Sequence, residues 1–390
     1  MRRVTEANPP LAPWAQRETD SRGRRYPQRE HPYRPIYARD RDRIIHSRAF
    51  RRLEYKTQVF VNHEGDHYRT RLTHSIEVSQ IARTVCRALA LNSDLAESLA
   101  LGHDLGHTPF GHLGEEVLGP LLIDSGGFNH NRQTLRVVEL LEQRYPDFPG
   151  LNLTWEVREG IAKHSGPADL EQMPEARDYW PGVPPPLEAQ MIDLVDEIAY
   201  NHHDIEDGLE SRLLDVDELT ETVALFGRPY REASRRHPTE GSWMWAKEAL
   251  RKVIDRLVSD LVLTTRGRLE ELRLSSVEDV RRQPGWLIGL SDVTERENRE
   301  LKAYLWDRLY RHPRIQQTKR HCARVLRELF QAYSTAPEEM PERFQQLATD
   351  DGLARGVCDY MAGMTDRFAL QEHHRLCGGP GPDAVPSATH

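Results

Sequence analysis

The apolar residues of this chain recur every three or four positions, and nowhere do they alternate over a stretch long enough to build a convincing sheet. In THSIEVSQIARTVCRALAL, Ile76, Ile81, Val85 and Leu89 share one face at helical spacing, and Thr73 stands where an N-cap belongs, which places His74 in the first turn of a long helix. In DLAESLALGHD, Asp94 is the cap and Leu95, Leu99 and Ala100 turn inward, before Gly102 and Gly106 loosen the end. The same period predicts helices over about 131–144, 154–164, 187–207, 211–226, 241–274, 295–310, 314–333 and 341–370. The expected fold class is therefore mainly α.

Where the period is absent, the chain is read as arm, loop or tail. Residues 1–40 are rich in Pro, Arg and polar side chains and read as an extended arm ordered by contact with the body or a neighbouring subunit. The helical pattern then divides into a core over 41–210 and a C-terminal helical region over 211–377 packed on it, with a proline-rich surface loop at GPADLEQMPEARDYWPGVPPP and a disordered tail over 378–390. At 390 residues and 38% hydrophobic content, there is enough apolar material for a large buried core.

Charge excludes some functions and leaves others open. The net charge of −8 argues against a basic nucleic-acid binder, but residues 17–56 carry 13 Arg or Lys against 6 acids, a local excess of 7 suited either to polyanions or to a solvated arm on an acidic body. No apolar run approaches the roughly 20 residues of a membrane span, and the start has no signal-peptide core, so no membrane partner and a cytoplasmic location are expected. Cys86, Cys322, Cys358 and Cys377 lack CxxC spacing, which points to reduced thiols and away from a thiolate zinc site.

The densest chemistry lies in GHDLGHTPFGH, residues 102–112. His74, His103, Asp104 and Asp196 are the candidate metal ligands: imidazole and carboxylate suit a hard or borderline divalent cation such as Mg, Mn, Fe or Zn. An alternative pairs His103 with His107, four residues apart on one helical face as in HExxH sites. It needs a helix running through Gly106 toward Pro109 and lacks a Glu after the first His, so it is the poorer match.

RLTHS (71–75), GHDLGH (102–107) and LVDEIAY (194–200) resemble the H…HD…D signature of the HD-domain phosphohydrolases. The longer strings SRGRRYP, RDRIIHSRAFRRLEYKTQVF, HDLGHTPFGHLGEE, FNHNRQTLR, EGIAKHS and DEIAYNHHDIEDG, over about residues 10–210, are similar specifically to the dGTPase and dGTPase-like deoxynucleoside triphosphate triphosphohydrolases. The resemblance implies that residues 41–210 are an HD-domain core in which His74, His103, Asp104 and Asp196 hold a divalent cation, Mg or Mn foremost. It implies water attack at the α-phosphorus of a deoxynucleoside triphosphate, dGTP or several dNTPs, releasing deoxynucleoside and inorganic tripolyphosphate.

By the same resemblance, His112 protonates the departing 5′ oxygen, and Glu115, three residues on, orients the imidazole and raises its pKa. His107 and His130 flank the phosphates, and Arg71 reaches into the cleft. Lys163, with Lys56, Arg51 and Arg52, is a candidate for phosphate contacts. Gln58 and Asp204 meet the 3′-hydroxyl, and Tyr200 packs on the deoxyribose; Asp196, Tyr200 and Asp204 are spaced by four, hence on one helical face. Homo-oligomers, commonly hexamers, and nucleotide effectors accompany the family. The alternatives are another HD-domain nucleotide phosphohydrolase or phosphodiesterase, or a single-stranded nucleic-acid binder whose Arg-rich segment grips the strand and whose metal site is secondary.

Overall fold

Local capping chemistry explains where the helices begin. The structure, a computed structural model, describes residues 10–58, 69–164 and 174–378. Among these there are seventeen α-helices, with β pairing limited to isolated bridges. The expectations for residues 1–9, the loop segment 165–173 and the tail beyond Gly378 lie outside the described residues.

The first half contains α1 (Ile36–Ile45), α2 (Arg48–Arg52), α3 (Arg71–Leu89), α4 (Ser93–Gly102), α5 (His112–Leu121), α6 (His130–Arg136), α7 (Trp155–Ala162) and α8 (Leu187–Glu210). Helix α3 starts earlier than the sequence suggested. Thr70 is its N-cap, and Thr73 is the third residue of a reciprocal capping box that satisfies two otherwise unpaired N–H groups. Asn92, not Asp94, caps α4 by accepting from the N–H groups of Asp94 and Leu95. The inner face of α3 is also shifted: Ile76 is 52% exposed, whereas Val78 is fully buried beside Ile81, Val85 and Leu89.

The second half contains α9 (Val216–Thr222), α10 (Ala224–Arg236), α11 (Ser242–Leu272), α12 (Val277–Arg281), α13 (Asp292–Leu305), α14 (Pro313–Thr335), α15 (Glu342–Asp350), α16 (Leu353–Ala362) and α17 (Asp366–Cys377). The helix expected over 341–370 is thus three. Gly352, with φ of +96°, separates α15 from α16, and Thr365 caps α17 after the break at Gly363. The span 211–226 likewise divides between α9 and α10 at Val223. Helices α6 and α13 each end in a turn of π-helix, Val137–Leu141 and Trp306–Tyr310.

One apolar core runs from Ala15 to Ile315, so helices of both halves share it. A second core joins Phe110, Leu113, Val117 and Leu118 to Val325, Leu329, Met361 and Leu370. The C-terminal helices are thereby packed against the turn that leads into α5. The described part of the arm is tied down as well: the Ser21 hydroxyl and the Arg22 N–H donate to Glu156 at 2.7 Å each, and buried Arg24 pairs with Asp40. Arg41 pairs with Asp94 and Glu97, and Arg43 donates to the Leu151 and Asn152 carbonyls. A good share of the local positive charge is therefore consumed within the chain.

Candidate metal centre and cleft

Three helices bring the candidate ligands together. α3 supplies His74, the end of α4 supplies His103 and the turn after it Asp104, and α8 supplies Asp196. His74 Nε2 lies 2.8 Å from Asp196 Oδ1, while His103 Nε2 lies 3.3 Å from Asp104 Oδ1 and 3.7 Å from Asp196 Oδ1. His74, His103 and Asp104 are all buried.

The donor set fits a divalent cation. His103 Nδ1 faces the Ala100 carbonyl at 2.7 Å, and since a carbonyl only accepts, the ring proton belongs on Nδ1 and the lone pair on Nε2. That Nε2 is buried and has no hydrogen-bond partner, an arrangement that is costly unless something binds there. Burial first, opposed by Asp104 and Asp196, holds the His103 pKa below its ordinary value, which favours the neutral ligand form. Burial works against the charge on Asp104, but His103, Arg71 and His107 outweigh it and hold the carboxylate well below its usual range.

Around Asp104 the site branches. Arg71, 1% exposed, donates from Nη1 to Asp104 Oδ2 at 3.0 Å and from Nε to the Thr57 carbonyl at 3.0 Å. His107 Nε2 is 3.0 Å from Asp104 Oδ1, and its ring stacks on His130 with centroids 4.3 Å apart. The helix needed for a His103–His107 pair stops before His107, because α4 ends at Gly102. Gly106 explains the sharp departure: a Cβ there would lie 2.2 Å from the Thr134 backbone nitrogen within α6.

Two of the residue roles expected from the sequence need correction. Glu115 does not pair with His112; its carboxylate lies 2.8 Å from His130 Nδ1. His112, exposed to the cleft, sits edge-on to His107 with ring centroids 5.1 Å apart. Protein crowding first, then Arg71 and His130, push its imidazole down to about 4 against the pull of Glu115 and Asp104, so its pKa is lowered where a rise was expected. Lys163 also departs from its expected place. Its amine is buried, ion-paired to Glu159 at 2.6 Å and donating to the Val183 carbonyl at 2.7 Å.

The residue beside it takes the position in the cleft. His164 Nε2 lies 3.9 Å from Asp196 Oδ2, and its Nδ1 lies 2.5 Å from Asp193. Burial lowers its pKa, but Asp193 outweighs that and raises it to about 9. His112, His164, Asp196 and Tyr200 line a cleft of about 660 Å³ that is also lined by Lys302 of α13 and by Trp306 and Tyr310 of the π-helical turn. Tyr310 donates its hydroxyl to Asp204, whose carboxyl burial pushes up to about 8; Asp204 itself is covered and does not line the cleft. Gln58 is buried, with an Oε1 that has no hydrogen-bond partner, and its carbonyl comes within 3.6 Å of where a Cβ on Gly111 would stand. Lys56 donates to the His107 and Ala362 carbonyls and is internal, and Arg51 and Arg52 are exposed.

Sequence reasoning missed His164, Asp193, Trp306 and Tyr310. His164 was legible within EGIAKHS, but the neighbouring lysine drew the assignment. No helix among the described residues is long and apolar enough to cross a membrane.

Known proteins resemble the chain over nearly its whole length. The chain matches the HD domain over residues 71–201 and the phosphohydrolase-associated domain over residues 288–375. It is 49% identical over 366 residues to a deoxyguanosinetriphosphate triphosphohydrolase-like protein of Geobacter metallireducens, covering 94% of both chains. A protein of the same description from Geobacter sulfurreducens is 50% identical with the same coverage. One from Cereibacter sphaeroides is 46% identical across 94% of this chain and 100% of the relative.

Proposed function

The chain belongs to the HD-domain family of deoxyguanosinetriphosphate triphosphohydrolase-like proteins, and from that premise we propose that it hydrolyses deoxynucleoside triphosphates to deoxynucleoside and inorganic tripolyphosphate. Membership makes it a phosphohydrolase; the substrate and products are our reading. The observation that carries it is the partnerless His103 Nε2, set beside Asp104 and Asp196, where Asp196 also lines a cleft together with His112 and Tyr200.

His74, His103, Asp104 and Asp196 would hold the cation, with Mg or Mn the expected ion. When bound, it supplies charge neutralisation at the α-phosphate and acidifies water. The chain's own residues do the rest. Arg71 anchors Asp104 and keeps Nη2 buried without a partner, a donor available to a phosphate oxygen. His112 delivers a proton to the 5′ oxygen as the P–O bond breaks. Burial first, then the charges of Arg71 and His130, disfavour its protonation; the negative charge of a triphosphate would oppose those two cations and raise its pKa, so the substrate favours the acid that it needs. Glu115 acts on this acid through His130, whose orientation it sets. Tyr200 packs on the sugar, and Tyr310 buttresses it with ring centroids 6.1 Å apart, leaving little room for a 2′-hydroxyl.

The test is product analysis after incubation with each dNTP and NTP in Mg or Mn. Tripolyphosphate from deoxynucleotides, with ribonucleotides disfavoured, is expected. Release of only pyrophosphate or monophosphate would contradict the assignment.

A further inference from the structure

The phosphohydrolase-associated region, residues 288–375, reaches the chemistry at a second place besides the cleft wall. Asp366, at the first position of α17, is 1% exposed, and its carboxylate reaches away from its own helix to Thr57 and Phe110. Its Oδ1 accepts the Phe110 N–H at 2.8 Å, and its Oδ2 accepts both the N–H of Thr57 at 2.8 Å and the Thr57 hydroxyl. Lys56, 2% exposed, donates to the His107 carbonyl and to the Ala362 carbonyl at 2.9 Å. The connection between α16 and α17 is therefore bonded to both ends of the turn that runs from His107 to Phe110, immediately before His112.

That turn needs holding. Phe110 has φ of +61°, a conformation that a residue with a side chain rarely adopts, and Gly111 follows it at +61°. The apolar cluster that includes Phe110 already joins this turn to the C-terminal helices. A charged carboxylate in that dry contact is a poorer adhesive than another apolar side chain would be. What the carboxylate adds is direction, since three donors converge on it and fix the backbone at Thr57 and Phe110 together. Thr57 in turn accepts from Arg71 Nε, so one contact set orients both the phosphate-facing arginine and the path into His112.

We propose that Asp366, with Lys56, is a positioning residue: it clamps the His107–Gly111 turn and so places His112 and Arg71 at the reacting phosphate. The assignment rests on the triphosphohydrolase reading for its consequence in catalysis, and on geometry alone for the clamp.

The test compares Asp366→Asn, Thr57→Val and Tyr333→Phe in the full chain loaded with Mn. Tyr333 donates its hydroxyl to Glu372 at 2.6 Å within the same C-terminal region, and Tyr333→Phe keeps the ring in the shared apolar cluster while removing a hydroxyl that bonds neither Thr57 nor Phe110, so this variant controls for loss of stability. For Asp366→Asn we expect kcat on dNTP to fall ~10- to 100-fold with KM changed less than ~3-fold, the cost of a misplaced catalytic group. Thr57→Val, which removes one of the three donors, moves in the same direction by less and keeps the test open should the asparagine variant fail to fold. Tyr333→Phe keeps kcat. On bis(p-nitrophenyl) phosphate, whose leaving group departs without a proton, Asp366→Asn loses less than it does on dNTP. Hydrogen exchange of peptides covering 107–112 rises in Asp366→Asn and stays unchanged in Tyr333→Phe. Unchanged exchange overturns the clamp, and full kcat, or losses that only follow the folded fraction in all three variants, overturns the positioning role. The exchange measurement needs no substrate, so a wild type that releases no tripolyphosphate from any dNTP refutes the function while leaving the clamp to be judged separately.

Discussion

Gly111→Ala should damage this protein far more than an added methyl group suggests. Gly111 has φ of +61° and ψ of −132°, a mirror-image extended conformation that costs an alanine about 1–2 kcal/mol. The new Cβ would also stand 2.7 Å from Arg71 Nη2 and 3.2 Å from the Thr57 carbonyl. Arg71 cannot easily give way, because Nε and Nη1 are each engaged at 3.0 Å and the side chain is buried. Losing a charge-assisted bond there costs a further ~1.5–3 kcal/mol. The chain therefore either loses roughly 2.5–5 kcal/mol of stability or relaxes the turn, and relaxation moves His112, where a shift near 1 Å costs about 100-fold in rate. Chemical denaturation read beside kcat on dNTP measures both exits. A variant with wild-type kcat and stability within ~0.5 kcal/mol would refute the claim that this turn is tightly determined.

Other perturbations separate structure from chemistry. Lys163→Met should keep kcat and KM within about twofold while losing ~1–3 kcal/mol, because the Val183 carbonyl loses its donor whereas Glu159 keeps Arg281 at 2.7 and 2.8 Å; a large KM rise at unchanged melting temperature would restore the phosphate role. Asp104→Ala should lose both bound Mn, read by elemental analysis after dialysis, and activity; retained metal would remove Asp104 from the ligand set. His112→Gln should lower kcat ~10²–10⁴-fold with metal content intact, and a loss of metal instead would contradict its assignment as acid. Burial raises Glu188 from 4.5 to about 7, so its contribution to stability is complete below about pH 4 and is lost as pH rises through 7. Glu188→Gln, a neutral mimic, should therefore gain on wild type as pH rises from 5 to 8, by up to roughly 3 kcal/mol, and a pH-independent difference in melting temperature would exclude this.

Much of the site was legible because it is written locally. His103, Asp104, His107 and His112 lie within eleven residues, and Asp196 and Tyr200 share a helical face that the period of α8 announces. The helices themselves follow from apolar spacing. What was not legible depends on contacts between distant segments. Glu115 three residues after His112 suggested a local pair, but α5 begins at His112, and the carboxylate finds His130 on α6 instead. Lys163 carried a charge that looked free although Glu159 stands one helical turn before it; the fold adds the distant Arg281 on the same carboxylate and the Val183 carbonyl on the amine. The π-helical turn at Trp306–Tyr310 has no period of its own, so nothing in the sequence marked Tyr310 as the partner of Asp204. Thr73 and Asp94 looked like caps because residues of the right type stood near the right place; Thr70 and Asn92 hold the extended backbone that an N-cap requires.

The central claim is that water attacks the α-phosphorus where the cleft meets the ligand set His74, His103, Asp104 and Asp196, with His112 as the acid. The most direct measurement is hydrolysis of dGTP and the other dNTPs in ¹⁸O-enriched water with Mn, followed by mass spectrometry of both products. The account predicts one ¹⁸O in tripolyphosphate and none in the deoxynucleoside. Label in the deoxynucleoside, or pyrophosphate and monophosphate in place of tripolyphosphate, would contradict it.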